Sequence, residues 1–310
     1  MTLAILCSGQ GPQHHNMFAL TGDAPQNAKL FAHAALLLGG RDARRMVQTD
    51  SREALHRDRE GQILCTLQAL AARAALTEAL PRKLLVAGYS IGELAAWGVA
   101  GLIDATTTLD IAARRAEAMD AASTPGDGLL FIRGLPDDAV VDLCKRHDAA
   151  IAIINPGDAY VVGAAGAALK TLLDEAKAMG ATGTILPVNV ASHTPRLAAA
   201  SAAFRKVLAQ TSTRPMPISD VRLFSGIDGS AVVDIAAGLD KLAKQISHTV
   251  QWAACLEGCV EAGASAFFEL GPGRALSEMA MGAYPGIPAR SLEDFRTLDG
   301  ARSWLNRFVN

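Results

Sequence analysis

The pattern of apolar and polar positions changes its period along the chain. Short continuous apolar runs, of a length typical of buried parallel strands, begin at Leu3, Leu84 and Phe267. Between them lie longer stretches with helical spacing, such as the alanine-rich segment 62–80 that ends before Pro81. Further helices are predicted near residues 15–20 and over 24–60, 105–122, 195–210, 239–246 and 275–281. Alternating strands and helices predict an α/β fold.

From Gly126 the pattern shifts to shorter segments in the order β-α-β-β-α-β. The predicted elements cover residues 129–132, 136–147, 150–154, 160–163, 165–179 and 184–190. This is the order of a ferredoxin-like unit. We therefore predict an α/β-hydrolase-like large domain, residues 1–123 and 191–310, with an inserted ferredoxin-like small subdomain, residues 124–190.

Composition narrows the functional classes. Of the 310 residues 50% are apolar and 19% are charged, and the net charge is -2. The sequence contains no block of like charges long enough to indicate binding to nucleic acids or membranes. The first apolar run is too short for a signal peptide or a span, so we expect a cytoplasmic protein. Five cysteines without a C-x-x-C pair favour buried thiols over a disulfide framework or a metal site.

The strongest candidate chemistry lies at the second predicted strand. Gly88, Ser90 and Gly92 form G-x-S-x-G between the strand and a helical pattern, as in a nucleophile elbow. A sharp turn of this kind needs small residues on both sides of the serine. The free N–H groups at the start of the helix would favour an oxyanion. An ordinary strand-to-helix turn is the alternative.

Two other segments could complete such a site. Gln10 lies between Gly9 and Gly11, where small neighbours let the main chain approach a ligand closely. His193 follows the predicted insert and could face a cleft where the two parts meet. A structural turn and a surface histidine are the respective alternatives.

Six motifs, in this order along the chain, resemble those of the malonyl-CoA:acyl-carrier-protein transacylase family. They are Gly9-Gln10-Gly11, Gly88-Tyr89-Ser90-Ile91-Gly92-Glu93, Arg115 with Met119, Ser192-His193, Val250-Gln251-Trp252, and Glu269-Leu270-Gly271-Pro272-Gly273. The resemblance covers essentially the whole length of the chain, and each motif alone would be weak.

The resemblance implies a catalytic dyad. Ser90 would be the nucleophile and His193 the general base in a ping-pong acyl transfer. A main-chain carbonyl, carried over to Gln251, would orient the histidine in place of an acidic third member. If the pKa of His193 were that of a free imidazole, the rate would fall as pH drops through ~6.5.

The resemblance also assigns the surroundings of the dyad. The main-chain N–H groups of Gln10 and Ile91 would hold the oxyanion. Arg115 would bind the free carboxylate of the malonyl group, whereas its neighbour on the helix would point elsewhere. Gln62 and Asn155 match family positions near the pocket.

Details of the motifs point to one branch of the family. Tyr89 stands where the family has a histidine before the nucleophile, and Ser8 stands where it has a proline. These details more closely resemble the malonyltransferase, or epsilon, subunit of bacterial malonate decarboxylase. The substrate would then be malonyl-CoA and the acceptor a CoA-like thiol on the decarboxylase carrier subunit, with no bound cofactor or metal.

Three alternatives stay open from the sequence. The first is a transacylase that serves the acyl carrier protein of fatty acid or polyketide synthesis. The second is a serine esterase or thioesterase, which would normally supply an acidic residue before its histidine and would not need Arg115. The third is a non-catalytic scaffold, which would not need Ser90, His193 and the glycines together.

Overall fold

A parallel sheet in the large part of the chain is the frame on which the site is built. The computed structural model describes residues 2–215 and 220–308, and within them ten strands form two five-stranded sheets. The strands are β1 (Thr2–Cys7), β2 (Leu84–Gly88), β3 (Asp127–Arg133), β4 (Ala150–Asn155), β5 (Ala159–Ala165), β6 (Thr182–Ile185), β7 (Val221–Leu223), β8 (Val250–Gln251), β9 (Ala264–Glu269) and β10 (Ala289–Ser291). The first sheet has the order β10-β9-β1-β2-β7, and every neighbouring pair is parallel.

Helices cover both faces of this sheet. The helices of the described residues, of which α7 and α8 pack on the second sheet, are α1 (Ala28–Leu37), α2 (Ala43–Thr49), α3 (Arg52–Leu55), α4 (Asp58–Ala75), α5 (Ile91–Val99), α6 (Ala105–Ala122), α7 (Asp137–Arg146), α8 (Gly166–Ala178), α9 (Ala198–Ala209), α10 (Ile235–Lys244), α11 (Trp252–Glu261), α12 (Ala275–Ala283) and α13 (Leu298–Leu305). Alternate residues of β1 enter two different apolar clusters, with Leu3 and Ile5 in one and Ala4 and Leu6 in the other. Since successive side chains of a strand point to opposite faces, both faces are buried, which explains the continuous apolar runs.

The carboxyl ends of three central strands bring distant motifs together. Cys7 at the end of β1 pairs with Gly88 at the end of β2, and Leu6 pairs with Glu269 at the end of β9. The segments that follow these strands therefore start side by side at one edge of the sheet. Ligands of open α/β sheets bind at this edge.

The second sheet has the order β6-β3-β5-β4-β8. Strands β3, β4, β5 and β6 are antiparallel to their neighbours within this group, and α7 and α8 complete the β-α-β-β-α-β order. The predicted α/β architecture with a small ferredoxin-like unit is confirmed. The fifth strand, β8, was not predicted: Val250 and Gln251 pair in parallel with Ile153 and Ile154, so the second sheet includes residues from outside the predicted insert.

Several predicted boundaries are wrong for identifiable reasons. Helix α4 begins at Asp58, before the predicted position 62, because two carboxylates lie in its first turn and favour the positive end of the helix dipole. Helix α10 begins at Ile235 because the side chain of Asp234 accepts the N–H of Ala237 at 2.7 Å. Strand β6 ends at Ile185, short of the predicted 190, since Pro187 has no N–H to continue a ladder.

Other predicted elements differ in kind. Residues 15–20 form hydrogen-bonded turns, not the predicted helix. The predicted helical region 24–60 contains three separate helices, α1 to α3, and the start of α4. Strand β10 and helix α13 were not predicted. Over residues 2–215 and 220–308, none of the helices has the length and apolar character needed to cross a membrane.

Candidate active site

Ser90 occupies a strained turn between β2 and α5. Its φ is 58° and its ψ is -121°, a conformation that non-glycine residues rarely adopt. A Cβ on Gly88 would lie 2.0 Å from the carbonyl oxygen of Gly92, and one on Gly92 would lie 2.1 Å from that of Cys7. Both glycines of the motif are therefore required by the close approach of β1, β2 and α5.

His193 lies against the serine. Its Nε2 is 2.8 Å from the Oγ of Ser90, and the ring is fully buried. Its Nδ1 donates to the carbonyl oxygen of Gln245 at 2.6 Å. A neutral imidazole has one donor and one acceptor, so this bond leaves Nε2 free to accept the serine proton. In a catalytic triad a carboxylate would accept the N–H of Nδ1, but here a main-chain oxygen already accepts it.

The histidine-orienting carbonyl was assigned to the wrong glutamine. The sequence-based assignment was Gln251, but that residue lies in β8, and its N–H donates to Gly226. Gln245 follows the last residue of α10, where carbonyl groups have no intrahelical donor. An orphan carbonyl at a helix end is thus available to the ring of His193. The predicted helix over 239–246 placed Gln245 inside the helix, so no signal in the sequence identified this carbonyl.

Burial controls the charge of His193. The pKa of this histidine is lowered to about 3, first by burial and then by the positive charge of Arg115, while the bond to Gln245 opposes the shift. The imidazole is therefore neutral at neutral pH. A neutral Nε2 at hydrogen-bond distance from a serine hydroxyl can act as a general base.

The loop that carries Gln10 packs on the elbow. A Cβ on Gly9 would lie 2.8 Å from the carbonyl oxygen of Tyr89 and 3.4 Å from the Cβ of Ser90. Ile91 is the first residue of α5, a position whose N–H has no intrahelical acceptor. The two main-chain segments assigned to the oxyanion thus both lie next to the serine.

Several side chains hold this loop in place. The Oγ of Ser8 donates to Oε1 of Glu269 at 2.8 Å, so the first and last motifs are in direct contact. Burial raises the pKa of Glu269 to about 7. On the other side, Nε2 of Gln10 donates to the carbonyl oxygen of Asp58 at 3.2 Å, and Nε2 of His56 donates to that of Gly11 at 3.0 Å. Sequence reasoning missed His56 and Asp58 because neither belongs to a motif.

Arg115 is completely buried on α6, whereas Arg114 is exposed. Nη1 of Arg115 donates to Oε1 of Gln62 at 2.8 Å, and Nη2 of Arg115 donates to Oε1 of Gln245 at 3.1 Å. Burial lowers the pKa of the guanidinium to about 10, partly offset by the charges of Asp58 and Glu93. The group is therefore still a cation at neutral pH, and Gln245 connects it to the dyad.

Asn155 lies at the carboxyl end of β4, beside the Tyr89 hydroxyl. The residue is 4% exposed, and neither polar atom of its side chain makes a well-formed hydrogen bond in the described part of the chain, although the amide is near enough to the Tyr89 hydroxyl to lower the pKa of the phenol against the effect of burial. A buried amide without partners is costly. Asn155 is thus placed to bond a ligand that enters between the two sheets.

The cysteines take no part in this arrangement. All five are buried free thiols, and Cys255 and Cys259 lie in the apolar cluster beneath α11. Burial raises the pKa of Cys259 to about 12. Within residues 2–215 and 220–308, no group of three or more histidine, cysteine or acidic side chains could hold a metal ion.

Comparisons with known proteins find similar sequences and similar folds. A family model described as "Acyl transferase domain" matches residues 49–281. The malonyl CoA-acyl carrier protein transacylase of Mycobacterium tuberculosis is 30% identical over 305 residues, which cover 96% of this chain and 98% of that protein. The crystal structure of MCAT from M. tuberculosis has a TM-score of 0.89 at 28% identity and covers 100% of both chains. The acyl-carrier-protein s-malonyltransferase from Burkholderia pseudomallei has a TM-score of 0.89 at 27% identity, covering 98% of this chain and 100% of that one.

Proposed function

Because this chain belongs to the malonyl-CoA:acyl-carrier-protein transacylase family, we propose that it moves a malonyl group from malonyl-CoA, through an ester on Ser90, to the thiol of an acyl carrier protein. The chain is an acyltransferase enzyme. The observation that carries the proposal is the contact of 2.8 Å between the Oγ of Ser90 and Nε2 of His193, with the buried cation of Arg115 connected to both through Gln245.

The loading half-reaction follows from this contact. His193 takes the hydroxyl proton of Ser90 as Oγ attacks the thioester carbonyl carbon. The N–H groups of Gln10 and Ile91 stabilise the negative charge on the carbonyl oxygen. The carbon–sulfur bond then breaks, and His193 returns the proton to the departing CoA thiolate. The products are the malonyl ester of Ser90 and free CoA.

The unloading half-reaction uses the same groups in reverse. The carrier thiol gives its proton to His193 and attacks the ester carbonyl. The bond between the carbonyl carbon and Oγ of Ser90 breaks, and the serine regains the proton. No cofactor enters this scheme, because each step needs only a proton shuttle and an oxyanion site.

Arg115 supplies the proposed selectivity for malonyl groups. Each Nη atom of a guanidinium carries two hydrogens, and here one from each is used by Gln62 or Gln245. Three N–H groups remain, one on each Nη atom and the Nε–H, which has no hydrogen-bond partner in the described part of the chain. Two adjacent ones could bind both oxygens of a carboxylate, a geometry that lysine does not offer. An acetyl group has no carboxylate and would gain nothing from this cation.

The proposed acceptor is a carrier of fatty acid or polyketide synthesis. The relatives named above are transacylases, and they do not support the sequence-based preference for the carrier subunit of malonate decarboxylase. The decarboxylase carrier is the second candidate acceptor. Its support is that Tyr89 and Ser8 stand where the family has a histidine and a proline. The Oγ of Ser8 bonds to Glu269, a contact that the usual proline could not make.

We also propose that residues 124–190 form one wall of the acyl and thiol cleft. The amide of Asn155, which makes no well-formed hydrogen bond in the described part of the chain, faces the Tyr89 hydroxyl at this boundary. Strand β5 of this segment packs against the loop of the histidine, since a Cβ on Gly163 would lie 2.7 Å from the side chain of Thr194, the residue after His193. A substrate with a long thiol arm needs a cleft beside the serine and the histidine.

Incubation with labelled malonyl-CoA, followed by intact mass measurement, tests the proposal. We expect a malonyl adduct that disappears in Ser90→Ala. Rapid hydrolysis without an adduct would indicate an esterase, and the absence of both would indicate a scaffold. Chasing the adduct with a fatty-acid carrier and, separately, with a malonate decarboxylase carrier subunit identifies the acceptor, and the first is expected to discharge the enzyme faster.

A further inference from the structure

The guanidinium of Arg115 lies at the centre of a symmetrical chain of hydrogen bonds. One arm runs through Gln62, whose Oε1 accepts from Nη1 at 2.8 Å and whose Nε2 donates to Oδ2 of Asp58 at 2.8 Å. The other runs through Gln245, whose Oε1 accepts from Nη2 at 3.1 Å and whose Nε2 donates to Oε2 of Glu93 at 2.8 Å. Each glutamine thus lies between the cation and a carboxylate.

The carboxylates determine which way each amide points. A glutamine amide can rotate by a half-turn, which exchanges its oxygen for its NH₂ group. An ionised carboxylate only accepts hydrogen bonds, so the NH₂ group must face it and the oxygen must face Arg115. Without the carboxylate, the amide could rotate and present its donors to the donors of the guanidinium.

The two arms differ in what else they hold. Gln245 also donates to the main-chain oxygen of Ser90, and its own carbonyl oxygen accepts from His193. A change in the position of Gln245 would therefore also affect Ser90 and His193. Gln62 contacts Arg115, Asp58 and the sulfur of Met119, so the Asp58 arm acts on the guanidinium without touching the dyad.

The carboxyl of Asp58 lies beside the side chains of both Gln62 and Gln10. Its Oδ1 atom is buried and has no hydrogen-bond partner in the described part of the chain. Burial raises the pKa of Asp58 to about 6, partly offset by the bond from Gln62 and by Arg115, so the group is ionised above that pH. Keeping a desolvated carboxylate costs folding free energy, which suggests a role at the site.

We propose that Asp58 is a positioning residue that sets selectivity for a carboxylated acyl group, by fixing the amide of Gln62 against Arg115. This inference rests on the proposed function, because it assumes that Arg115 receives the malonyl carboxylate. Asp58 does not touch the substrate; it acts through Gln62. A guanidinium held from both sides keeps its three free N–H groups in fixed directions.

The test compares loading of malonyl-CoA and acetyl-CoA by full-length variants at pH 7.5. Asp58→Ala is expected to lower kcat/KM for malonyl-CoA by about three- to tenfold, mainly through KM, and to leave acetyl-CoA unchanged. Asp58→Asn retains an oxygen that can accept from Gln62, so it should recover most of the loss. Asp120→Ala is the matched control: this exposed carboxylate is close enough to raise the pKa of Asp58 but makes no bond to Gln62.

The inference is overturned if Asp58→Ala keeps the ratio of malonyl to acetyl loading, or if Asp120→Ala changes the ratio as much. Equal losses with both substrates would also overturn it, since they would indicate a general effect on the fold or the oxyanion loop. If Asp58→Ala does not fold, Asp58→Ser, which is too short to reach Gln62, replaces it. Arg115→Ala distinguishes failure of the proposed function from failure of this inference. If Arg115→Ala leaves the ratio of malonyl to acetyl loading unchanged, the proposed carboxylate site is wrong. If Arg115→Ala lowers the ratio and Asp58→Ala does not, only the proposed role of Asp58 is wrong.

Discussion

Ser90 and His193 are 103 positions apart in sequence, yet Oγ and Nε2 lie 2.8 Å from each other, and both residues have a positive φ, 58° and 63°. Non-glycine residues adopt this region at a cost in free energy. The turn at Ser90 is imposed by the close approach of Gly88 and Gly92, and the turn at His193 is tied by its N–H to Ile246 at 2.8 Å. Strain at both partners of one hydrogen bond indicates that the fold fixes their relative position.

The first prediction concerns this pair. Ser90→Ala should abolish adduct formation, and His193→Ala should lower the rate of loading by about 10²–10⁴-fold, as expected for loss of a general base. Because the two act as one unit, the double variant should be no slower than Ser90→Ala alone. Single-turnover loading measured by quenched intact mass checks this. Near-normal transfer by either single variant would contradict the dyad.

The second prediction concerns pH. The sequence-based expectation placed the loss of activity near pH 6.5, but burial and Arg115 lower the pKa of His193 to about 3. Only the neutral ring accepts a proton, so the titration of His193 should reduce loading only as pH approaches 3. The other group that titrates next to the dyad is Glu93, which bonds to Gln245 and whose pKa burial raises to about 7. Acetyl-CoA is the substrate to use, since its loading does not depend on the carboxylate site. A half-maximal rate near pH 6.5 that persists in Glu93→Gln, where no carboxyl titrates at that position, would mean that the ring is not enclosed.

A residue of the site could be predicted from the sequence where a local motif contained it. Gly88, Ser90 and Gly92 could be interpreted locally, because one tight turn between a strand and a helix determines all three. Gln245 could not, since its carbonyl meets His193 only after α10 ends and the loop before α9 folds back. Sequence spacing cannot reveal that two helix ends converge in space.

The fold had the same limit. Strand β1 was predicted because both of its faces are buried, which gives a continuous apolar run. Strand β8 has two residues and no pattern of its own, and it exists only because β4 offers an open edge. Asp58 was missed for a related reason: it lies among charged residues that look solvent-exposed, and only the fold directs its carboxyl towards Gln62.

The third prediction concerns stability. Burial raises the pKa of Glu269 from 4.5 to about 7, so the folded state holds its proton more tightly than the unfolded state does. The resulting stabilisation is complete below about pH 4.5 and is lost as pH rises through about 7. The Glu269→Gln variant does not titrate at this position. Between pH 5 and pH 8 its free energy of unfolding should therefore fall by about 2 to 3 kcal/mol less than that of the unsubstituted protein. Urea denaturation at both pH values checks this, and an equal fall in both proteins would contradict it.

The last prediction concerns the two arginines of α6. Arg115 is fully buried and bonded to Gln62 and Gln245, whereas Arg114 is exposed, as expected for neighbours about 100° apart on a helix. A bond between a buried guanidinium and a carboxylate contributes about 1.5 to 3 kcal/mol, which corresponds to roughly ten- to a hundredfold in kcat/KM. Arg115→Ala should therefore lose that factor with malonyl-CoA and keep or improve loading of acetyl-CoA, while Arg114→Ala, the matched control, should change neither. Side-by-side loading assays with both substrates decide the matter. Selective loss in Arg114→Ala instead would place the recognised carboxylate on the outer face of α6, and loss in neither variant would mean that other residues bind it.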